Sequence, residues 1–348
     1  MTRTAFCIYL YLMTVKKEFL NYIHSFRGLA ILFVVAGHLL LNWPSPSSVH
    51  LFLRVLWEDG TVLFVFIAGY LFQHLSKKYE YKNYLVKKLQ NVIVPYLIVS
   101  TPIIVYRLVT NDIPGYILDV HPDFLSWGVV HKVGWFLLHG GHLQPLWFVP
   151  MISLFYVAAP AFIYIDRHPR WYWVLIPFCA LSFWVVREPF IDIPRMFVHF
   201  ISVYLFGMFM SRYKNEYLEF AKRYYVLISL ATILAFTANL LWYNLNNPLQ
   251  YLHKMLFCCF FMYWLWRLDR FVPKFFAVLA DLSFGIFFIH YYVLLVVKAL
   301  YEKAFRQPIP GNLVYWIIDL VLVMGGTVLF IQAVKKIFPK KSRYLIGC

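Results

Sequence analysis

The sequence predicts an all-α, polytopic integral membrane protein, and three observations support that fold class. Hydrophobic residues make up 62% of the 348 residues and charged residues only 14%, a composition that excludes an ordinary water-soluble globular protein. About ten apolar runs approach the length needed to cross a hydrocarbon core of about 30 Å. Lysine and arginine concentrate in alternate loops between these runs, as the positive-inside rule expects. We therefore predict about ten transmembrane helices, with both termini in the cytoplasm.

The apolar runs also divide the chain. Residues 1–20 are interpreted as an N-terminal cytoplasmic or interfacial lead-in, and residues 21–348 as a single transmembrane domain, since no repeat, low-complexity segment or soluble extension is evident. The predicted spans lie at 23–43, 58–76, 91–109, 145–165, 171–186, 195–211, 223–243, 249–267, 275–298 and 312–334.

Charge and cysteine content narrow the function classes. The formal net charge is +16, but it is spread through short loops between apolar runs, which indicates membrane topology rather than a nucleic-acid partner. The five cysteines form no CxxC pair, so neither a disulfide framework nor a structural zinc is indicated. The sequence also lacks a phosphate-cradling glycine loop, a G-x-S-x-G elbow and an H-E-x-x-H pair.

The first span carries an arginine and a histidine on one helix face. Eleven steps of about 100° place Arg27 and His38 within about 20° of each other and roughly 16 Å apart along the axis. Ionisable residues inside a membrane are expensive and are functional candidates by default. The alternative is that Arg27 is an interfacial anchor and His38 a packed polar residue of the bundle.

The same span resembles a known family. The pattern R-G-L-A-I-L-x-V-x-x-x-H from Arg27 to His38 is similar to the signature of the acyltransferase-3 family of integral membrane acyltransferases. Residues 60–71 resemble a second family element, although Val62 stands where the family has aspartate, and residues 283–290 resemble a third. The resemblance implies a helical membrane enzyme that uses acyl-CoA as co-substrate, with acetyl-CoA the first choice. From the residues themselves, no metal is expected.

The resemblance implies catalytic roles for the first-span pair. Neutral His38 would deprotonate an acceptor hydroxyl or take the acyl group itself as a nucleophile. Arg27 would bind a coenzyme A phosphate or thioester oxygen, or fix the helix by pairing with a carboxylate. Glu58 and Asp59 would orient His38 through its second ring nitrogen, and the alternative is that both are interfacial carboxylates at a helix start.

Substrate-binding residues are expected on both sides of the membrane. Lys87 and Lys88, in an inner loop, suit the phosphates of coenzyme A, and they suit anionic lipid head groups equally well. Trp147 and Tyr156 resemble aromatic positions of the family and are expected to line the substrate cavity, and the alternative is that both are ordinary core aromatics. His290 is expected to line that cavity or to support it.

The outer stretch 110–144 is rich in histidine and tryptophan. Its aromatic and polar side chains suit a sugar acceptor, and they also suit an ordinary interfacial aromatic belt. His139 and His142 are separated by two glycines and lack a further thiol or carboxylate nearby in sequence, so a metal site is disfavoured.

Together these features predict O-acyl transfer, with acetyl the expected group, from cytoplasmic acyl-CoA to a hydroxyl of a cell-surface or lipid-linked glycan. The expected location is the cytoplasmic membrane of a bacterium, with membrane lipids around the protein. The alternative function is a polysaccharide exporter or flippase, since several helices around a polar cavity also suit transport. A further alternative is an inactive structural member of a surface-polysaccharide assembly complex.

Overall fold

The backbone is helical throughout the part of the chain that the structure describes. The computed structural model describes residues 20–40, 42–43, 47–76, 80–185, 187, 191–243 and 248–348, and these contain no β-strand. Backbone N–H and C=O groups find no water inside a membrane, so apolar runs pair them within one segment as helix. The all-α class is confirmed for the described residues, whereas nearly all of the predicted lead-in lies outside them.

The α-helices follow one another along the chain with mostly short connections. The first eight are α1 (Asn21–His38), α2 (Ser48–Trp57), α3 (Gly60–Ser76), α4 (Tyr81–Lys88), α5 (Val94–Thr110), α6 (Gly115–Val120), α7 (Val129–His139) and α8 (Phe148–Val157). The others are α9 (Ala159–Arg167), α10 (Leu175–Trp184), α11 (Ile193–Arg212), α12 (Lys214–Leu241), α13 (Pro248–Arg267), α14 (Lys274–Phe305), α15 (Leu313–Ile337) and α16 (Ser342–Ile346). Shorter 3₁₀ turns lie at Phe124–Ser126, Gln144–Trp147, Pro169–Val174 and Asp269–Phe271, and a π-helical turn lies at Leu89–Ile93.

Five helical segments of the described chain are long and apolar enough to cross a membrane. They are Tyr81–Thr110, Ile193–Arg212, Lys214–Leu241, Lys274–Phe305 and Leu313–Ile337. A sixth crossing arises if Gln144–Val157 and Ala159–Arg167, which meet at 52°, form one broken span. Pro160 lies in the first turn of the second segment, and its missing N–H explains a bend there.

Within the described residues, the other predicted spans are not long or apolar enough to count as crossings by this criterion, and each has a physical reason. Helices α1 and α3 have 18 and 17 residues, which is at the short end for a crossing. The predicted span 171–186 divides into a 3₁₀ turn and the ten-residue helix α10. Helix α13 carries buried polar side chains. The total of ten crossings and the cytoplasmic termini stay predictions.

Helices α3 and α11 cross so closely that their backbones touch. Gly69 of α3 lies against the carbonyl of Tyr204, and Gly207 of α11 lies against the carbonyl of Phe66. A Cβ atom at either glycine would overlap that backbone, so the crossing requires glycine on both helices.

Helix α1 is the centre of the bundle. It packs against α14, α3, α13 and α2, and Gly28 brings its backbone onto Phe276 of the segment that starts α14. Its buried side chains belong to the main apolar core, while a second, smaller core around Phe124 and Trp135 lies under α6 and α7. Any polar group at the end of α1 is therefore held by several helices at once.

Candidate functional site

His38 is the last residue of α1, and its ring faces a cavity. The Nδ1 atom lies 2.8 Å from the carbonyl oxygen of Val34, one turn earlier in the same helix. The side chain is partly exposed, and it belongs to the cavity wall. Arg27 and His38 thus share one helix, as the spacing predicts.

A second histidine lies directly behind His38. The Nδ1 atom of His290 lies 2.8 Å from the carbonyl oxygen of Ile286, and its Nε2 atom lies 3.4 Å from Nδ1 of His38. His290 is fully buried and is absent from the described cavity wall. His290 thus lies beside His38 and not on the described cavity wall, and a supporting role for it stays a prediction.

These contacts assign the tautomers of both rings. A carbonyl oxygen only accepts hydrogen bonds, so each Nδ1 that lies against one carries the proton in the neutral ring. The single Nδ1–H of His38 is then shared between the carbonyl oxygen of Val34 at 2.8 Å and Nε2 of His290 at 3.4 Å, and Nε2 of His290 accepts the longer branch. The unprotonated nitrogen of His38 is Nε2, and its lone pair is the basic and nucleophilic position of a ring on the cavity wall.

The cavity beside His38 has a volume of about 310 Å³. Its wall is built from the ends of α1 and α2, the start of α3, the turn before α8, and parts of α10, α11, α13 and α14. Both aromatic and charged groups reach it. The lining side chains most relevant to chemistry are Arg54, Glu58, Asp59, Trp147, Arg187 and Tyr243.

Two ion pairs organise the charged part of the wall. Arg54 donates from Nε to Glu58 at 2.8 Å, and the Tyr243 hydroxyl donates to the other oxygen of Glu58 at 2.9 Å. Asp59 is paired with Arg187, whose guanidinium lies 5.5 Å from the centre of the Trp147 ring. Both carboxylates are thus held in place by arginine.

The expected contact between these carboxylates and His38 differs from the structure. Glu58 and Asp59 line the same cavity as His38, but Nδ1 of His38 is turned toward Val34 and His290. The physical reason is that Arg54 and Tyr243 occupy the two oxygens of Glu58, while Arg187 holds Asp59 through one of its oxygens. Orientation of the imidazole therefore comes from its own helix and from α14, a correction to the sequence expectation.

Arg27 lies away from this cavity, toward the other end of α1. Its guanidinium donates to the carbonyl oxygen of Ala280 at 2.7 Å, while its buried Nε atom has no hydrogen-bond partner among the described residues. The sequence left open a carboxylate partner or a ligand oxygen for Arg27. The structure shows a backbone partner on α14 together with a donor that is still free.

Lys88 and Tyr156 come together at a second place. The Lys88 ammonium lies 4.6 Å from the ring centre of Tyr156 and 5.3 Å from that of Tyr84, whereas Lys87 is exposed. Tyr156 does not line the described cavity, in contrast to the expectation from the sequence. Tyr156 lies nine residues after Trp147, a rise of roughly 13 Å along a helix. Trp147 and Tyr156 are therefore at opposite ends of α8.

The family assignment rests on a comparison of the whole sequence. A family model described as an acyltransferase domain matches residues 20–332 of the 348. The chain belongs to acyltransferase family 3. No curated protein and no solved structure matches it.

Membership of acyltransferase family 3 sets the general chemistry. The protein is a multi-pass membrane acyltransferase, and it therefore uses an acyl donor and an acceptor. The family match begins just before α1 and ends within α15. It includes the His38 cavity as well as Arg27 and Lys88 at the other end of the bundle.

Three charged residues of this acyltransferase were not predicted from the sequence, namely Arg54, Arg187 and Lys254. Arg187 lies in a connection between helices, where nothing in the local sequence indicates a cavity residue. Lys254 lies inside the apolar run 249–267 and is fully buried. A lysine within a predicted span is itself a signal of a functional or paired position, so Lys254 was detectable.

The histidines of the outer stretch have other partners. His142 is fully buried, with Nδ1 3.0 Å from the carbonyl of Phe136 and Nε2 2.8 Å from the Ser100 hydroxyl. Both of its nitrogens are therefore engaged. Within the described ranges, no three His, Cys, Asp or Glu side chains are grouped so that they could hold a metal ion.

Proposed function

We propose that this protein moves an acetyl group from cytoplasmic acetyl-CoA to a hydroxyl of a cell-surface or lipid-linked glycan in a bacterial cytoplasmic membrane. The observation that supports this most is the His38 ring on the cavity wall, whose Nε2 lone pair is left free by the contacts of Nδ1. A family of membrane acyltransferases needs a base or nucleophile at the reacting centre. His38 supplies one.

In the proposed reaction His38 acts as general base. Its Nε2 takes the proton of the acceptor hydroxyl while the hydroxyl oxygen attacks the thioester carbonyl. The C–S bond then breaks, the ester forms, and the leaving thiolate takes the proton back from the imidazolium. His290 stabilises the imidazolium through the hydrogen bond from Nδ1 of His38.

The donor is proposed to enter from the end of the bundle opposite His38. The Tyr22 and Tyr70 hydroxyls lie 2.8 Å apart, which places the start of α1 beside the later half of α3. In that half Phe72 packs on Tyr84 at 5.8 Å, next to Lys88. Arg27, Lys87 and Lys88 therefore belong to one end of the molecule, where cations would bind the phosphates of coenzyme A.

The acceptor is proposed to occupy the His38 cavity. A sugar presents hydroxyl groups that donate and accept hydrogen bonds, together with apolar faces that pack on aromatic rings. The arginine–carboxylate pairs of the wall offer both hydrogen-bonding roles, and Trp147 offers an aromatic surface. A wall of this mixed character suits a carbohydrate better than a purely apolar acceptor.

The test is release of the coenzyme A thiol from acetyl-CoA by purified protein with a panel of glycan acceptors. We expect His38→Ala to lower turnover at least 100-fold, since general base catalysis contributes about 10²–10⁴-fold, and Arg27→Ala to raise KM for acetyl-CoA. His168→Ala is the matched control, because its Nδ1 also lies on the carbonyl one turn earlier, 2.9 Å away. Full activity of His38→Ala would refute the proposal.

Two further readouts separate the alternatives. Incubation with acetyl-CoA alone, followed by mass spectrometry of the His38 peptide, would reveal an acetyl-imidazole if His38 were a nucleophile, and no adduct is expected for a general base. In cells, His38→Ala should remove glycan acetylation without blocking export. Loss of export with acetylation retained would favour the exporter function.

A further inference from the structure

The junction of α2 and α3, residues 55–59, is here called the α2–α3 corner. It carries Glu58 and Asp59 on the cavity wall. Asp59 has φ of 60°, a left-handed conformation that a residue with a Cβ atom adopts only at an energetic cost. A strained backbone of this kind persists only when surrounding contacts hold it in place.

The corner lies directly against α1 at the turn that ends in His38. A Cβ atom at Gly37 would lie 3.1 Å from the carbonyl oxygen of Trp57, and one at Gly60 would lie 3.0 Å from the backbone nitrogen of Val34. Val34 is also the residue whose carbonyl contacts His38. Movement of the corner would therefore change both the wall opposite His38 and the turn that orients its ring.

Lys254 of α13 contacts the backbone of the corner without lining the described cavity. Its side chain is fully buried, and Nζ donates to the carbonyl oxygens of Val55 at 3.1 Å and Leu56 at 2.6 Å. These carbonyls belong to the last turn of α2, where backbone oxygens lack helical partners and attract a cation. The ammonium also lies 5.3 Å from the ring centre of Phe33 on α1.

A second polar chain from the same region reaches the corner. Gln250 donates to the carbonyl oxygen of Glu58 at 3.4 Å, and Asn239 of α12 donates to Gln250 at 2.5 Å. The side-chain amide of Asn239 also lies 3.1 Å from Nδ1 of His253. Helices α12 and α13 thus contribute a buried polar cluster whose contacts converge on the corner backbone.

We propose that Lys254 is a positioning residue of the acyltransferase. It keeps the strained α2–α3 corner packed against α1. The cavity wall and the His38 ring therefore keep their positions relative to each other. Lys254 is absent from the described cavity wall and acts through the corner rather than on substrate. The expected effect of Lys254 on turnover rests on the proposed function. Its expected effect on the accessibility of the His38 ring does not.

The experiment compares Lys254→Met with a matched control, Lys132→Met. Lys132 is the other buried lysine of the described chain, and its Nζ also donates to a backbone carbonyl, that of Leu125, at 2.8 Å. Methionine keeps most of the unbranched side chain but lacks its terminal ammonium group, so it removes the cation and the hydrogen-bond donor. For each purified variant, the rate of carbethoxylation of His38 by diethyl pyrocarbonate is measured by peptide mass spectrometry, alongside the thermal midpoint and the release of coenzyme A thiol.

We expect Lys254→Met to raise the carbethoxylation rate of His38 about threefold or more, and to lower turnover about tenfold with KM for acetyl-CoA within about twofold, because small misplacements near the chemistry are costly. Lys132→Met should lower the thermal midpoint and leave His38 reactivity unchanged. If Lys254→Met does not fold, Lys254→Gln is used instead, because its side-chain amide is a neutral donor in place of the ammonium. It should show a smaller rise in the carbethoxylation rate of His38 and a smaller fall in turnover.

An unchanged His38 reactivity in folded Lys254→Met or Lys254→Gln would overturn the proposal, since Lys254 would then be a purely structural residue like Lys132. An equal rise in the carbethoxylation rate of His38 in Lys254→Met and Lys132→Met would also overturn the proposal. If wild-type protein released no thiol with any acceptor, the proposed function would fail, while the reactivity of His38 would still decide the role of Lys254.

Discussion

At the scale of single residues, the site depends on which nitrogen of each histidine is free. His38 and His290 both use Nδ1 on a carbonyl of their own helix. That shared geometry makes His290 an acceptor toward His38 and leaves Nε2 of His38 as the basic atom. In the more familiar arrangement a carboxylate orients the histidine, but here the carboxylates Glu58 and Asp59 pair with arginines instead.

The role of His290 leads to a prediction. His290→Phe keeps a ring of similar shape and removes the acceptor, so we expect turnover to fall about fivefold, the equivalent of one modest hydrogen bond of about 1 kcal/mol. His290→Gln, whose side chain can accept through its carbonyl oxygen, should recover part of the loss. Steady-state release of coenzyme A thiol measures both. A fall as deep as that of His38→Ala would instead make His290 a reacting group.

At the scale of helices, the site is held by close crossings around α1 and α3. Glycines at the crossings bring backbones together, as at Gly69 and Gly207, and the α2–α3 corner lies on Gly37 beside His38. Small residues allow such contacts because membrane helices associate mainly through close packing. The same elements that pack the bundle therefore position the reacting ring.

The α3–α11 crossing can be tested with a single methyl group. Gly69→Ala would place a Cβ atom on the Tyr204 carbonyl, and overpacking of this kind costs about 1–3 kcal/mol. We expect a lower thermal midpoint in detergent. Gly325→Ala on α15 is the control, because nothing lies near its Cβ position and alanine is the better helix former. A midpoint for Gly69→Ala equal to that of Gly325→Ala would contradict the crossing.

At the scale of the whole molecule, the candidate groups divide between two ends of one bundle. Arg27 and Lys88 lie toward the end where α1 begins, and the His38 cavity lies where α1 ends. This separation suits an enzyme whose donor and acceptor are made available on opposite sides of a membrane. It requires that the end with Arg27 faces the cytoplasm, which is also what the positive-inside rule predicts.

The orientation is testable by cysteine labelling in intact cells. Val130, on α7, is 87% exposed and belongs to the predicted outer stretch, whereas Lys340 is exposed in the predicted inner tail. A membrane-impermeant maleimide should label Val130→Cys directly and Lys340→Cys only after permeabilisation. The unsubstituted protein gives the background from native cysteines. Labelling of Lys340→Cys in intact cells would contradict a cytoplasmic C-terminus.

The sequence by itself determined the helical class, the family and the Arg27–His38 pair on one helix, because apolar composition, motif spacing and helical periodicity are local properties of the chain. Only the tertiary structure decided which groups meet. Arg187 and Asp59 are 128 residues apart in the chain, Lys254 reaches a corner almost 200 residues away, and Tyr156 lies with Lys88 rather than with Trp147. Such pairings depend on how helices cross and turn against one another, and no periodicity within one segment encodes them.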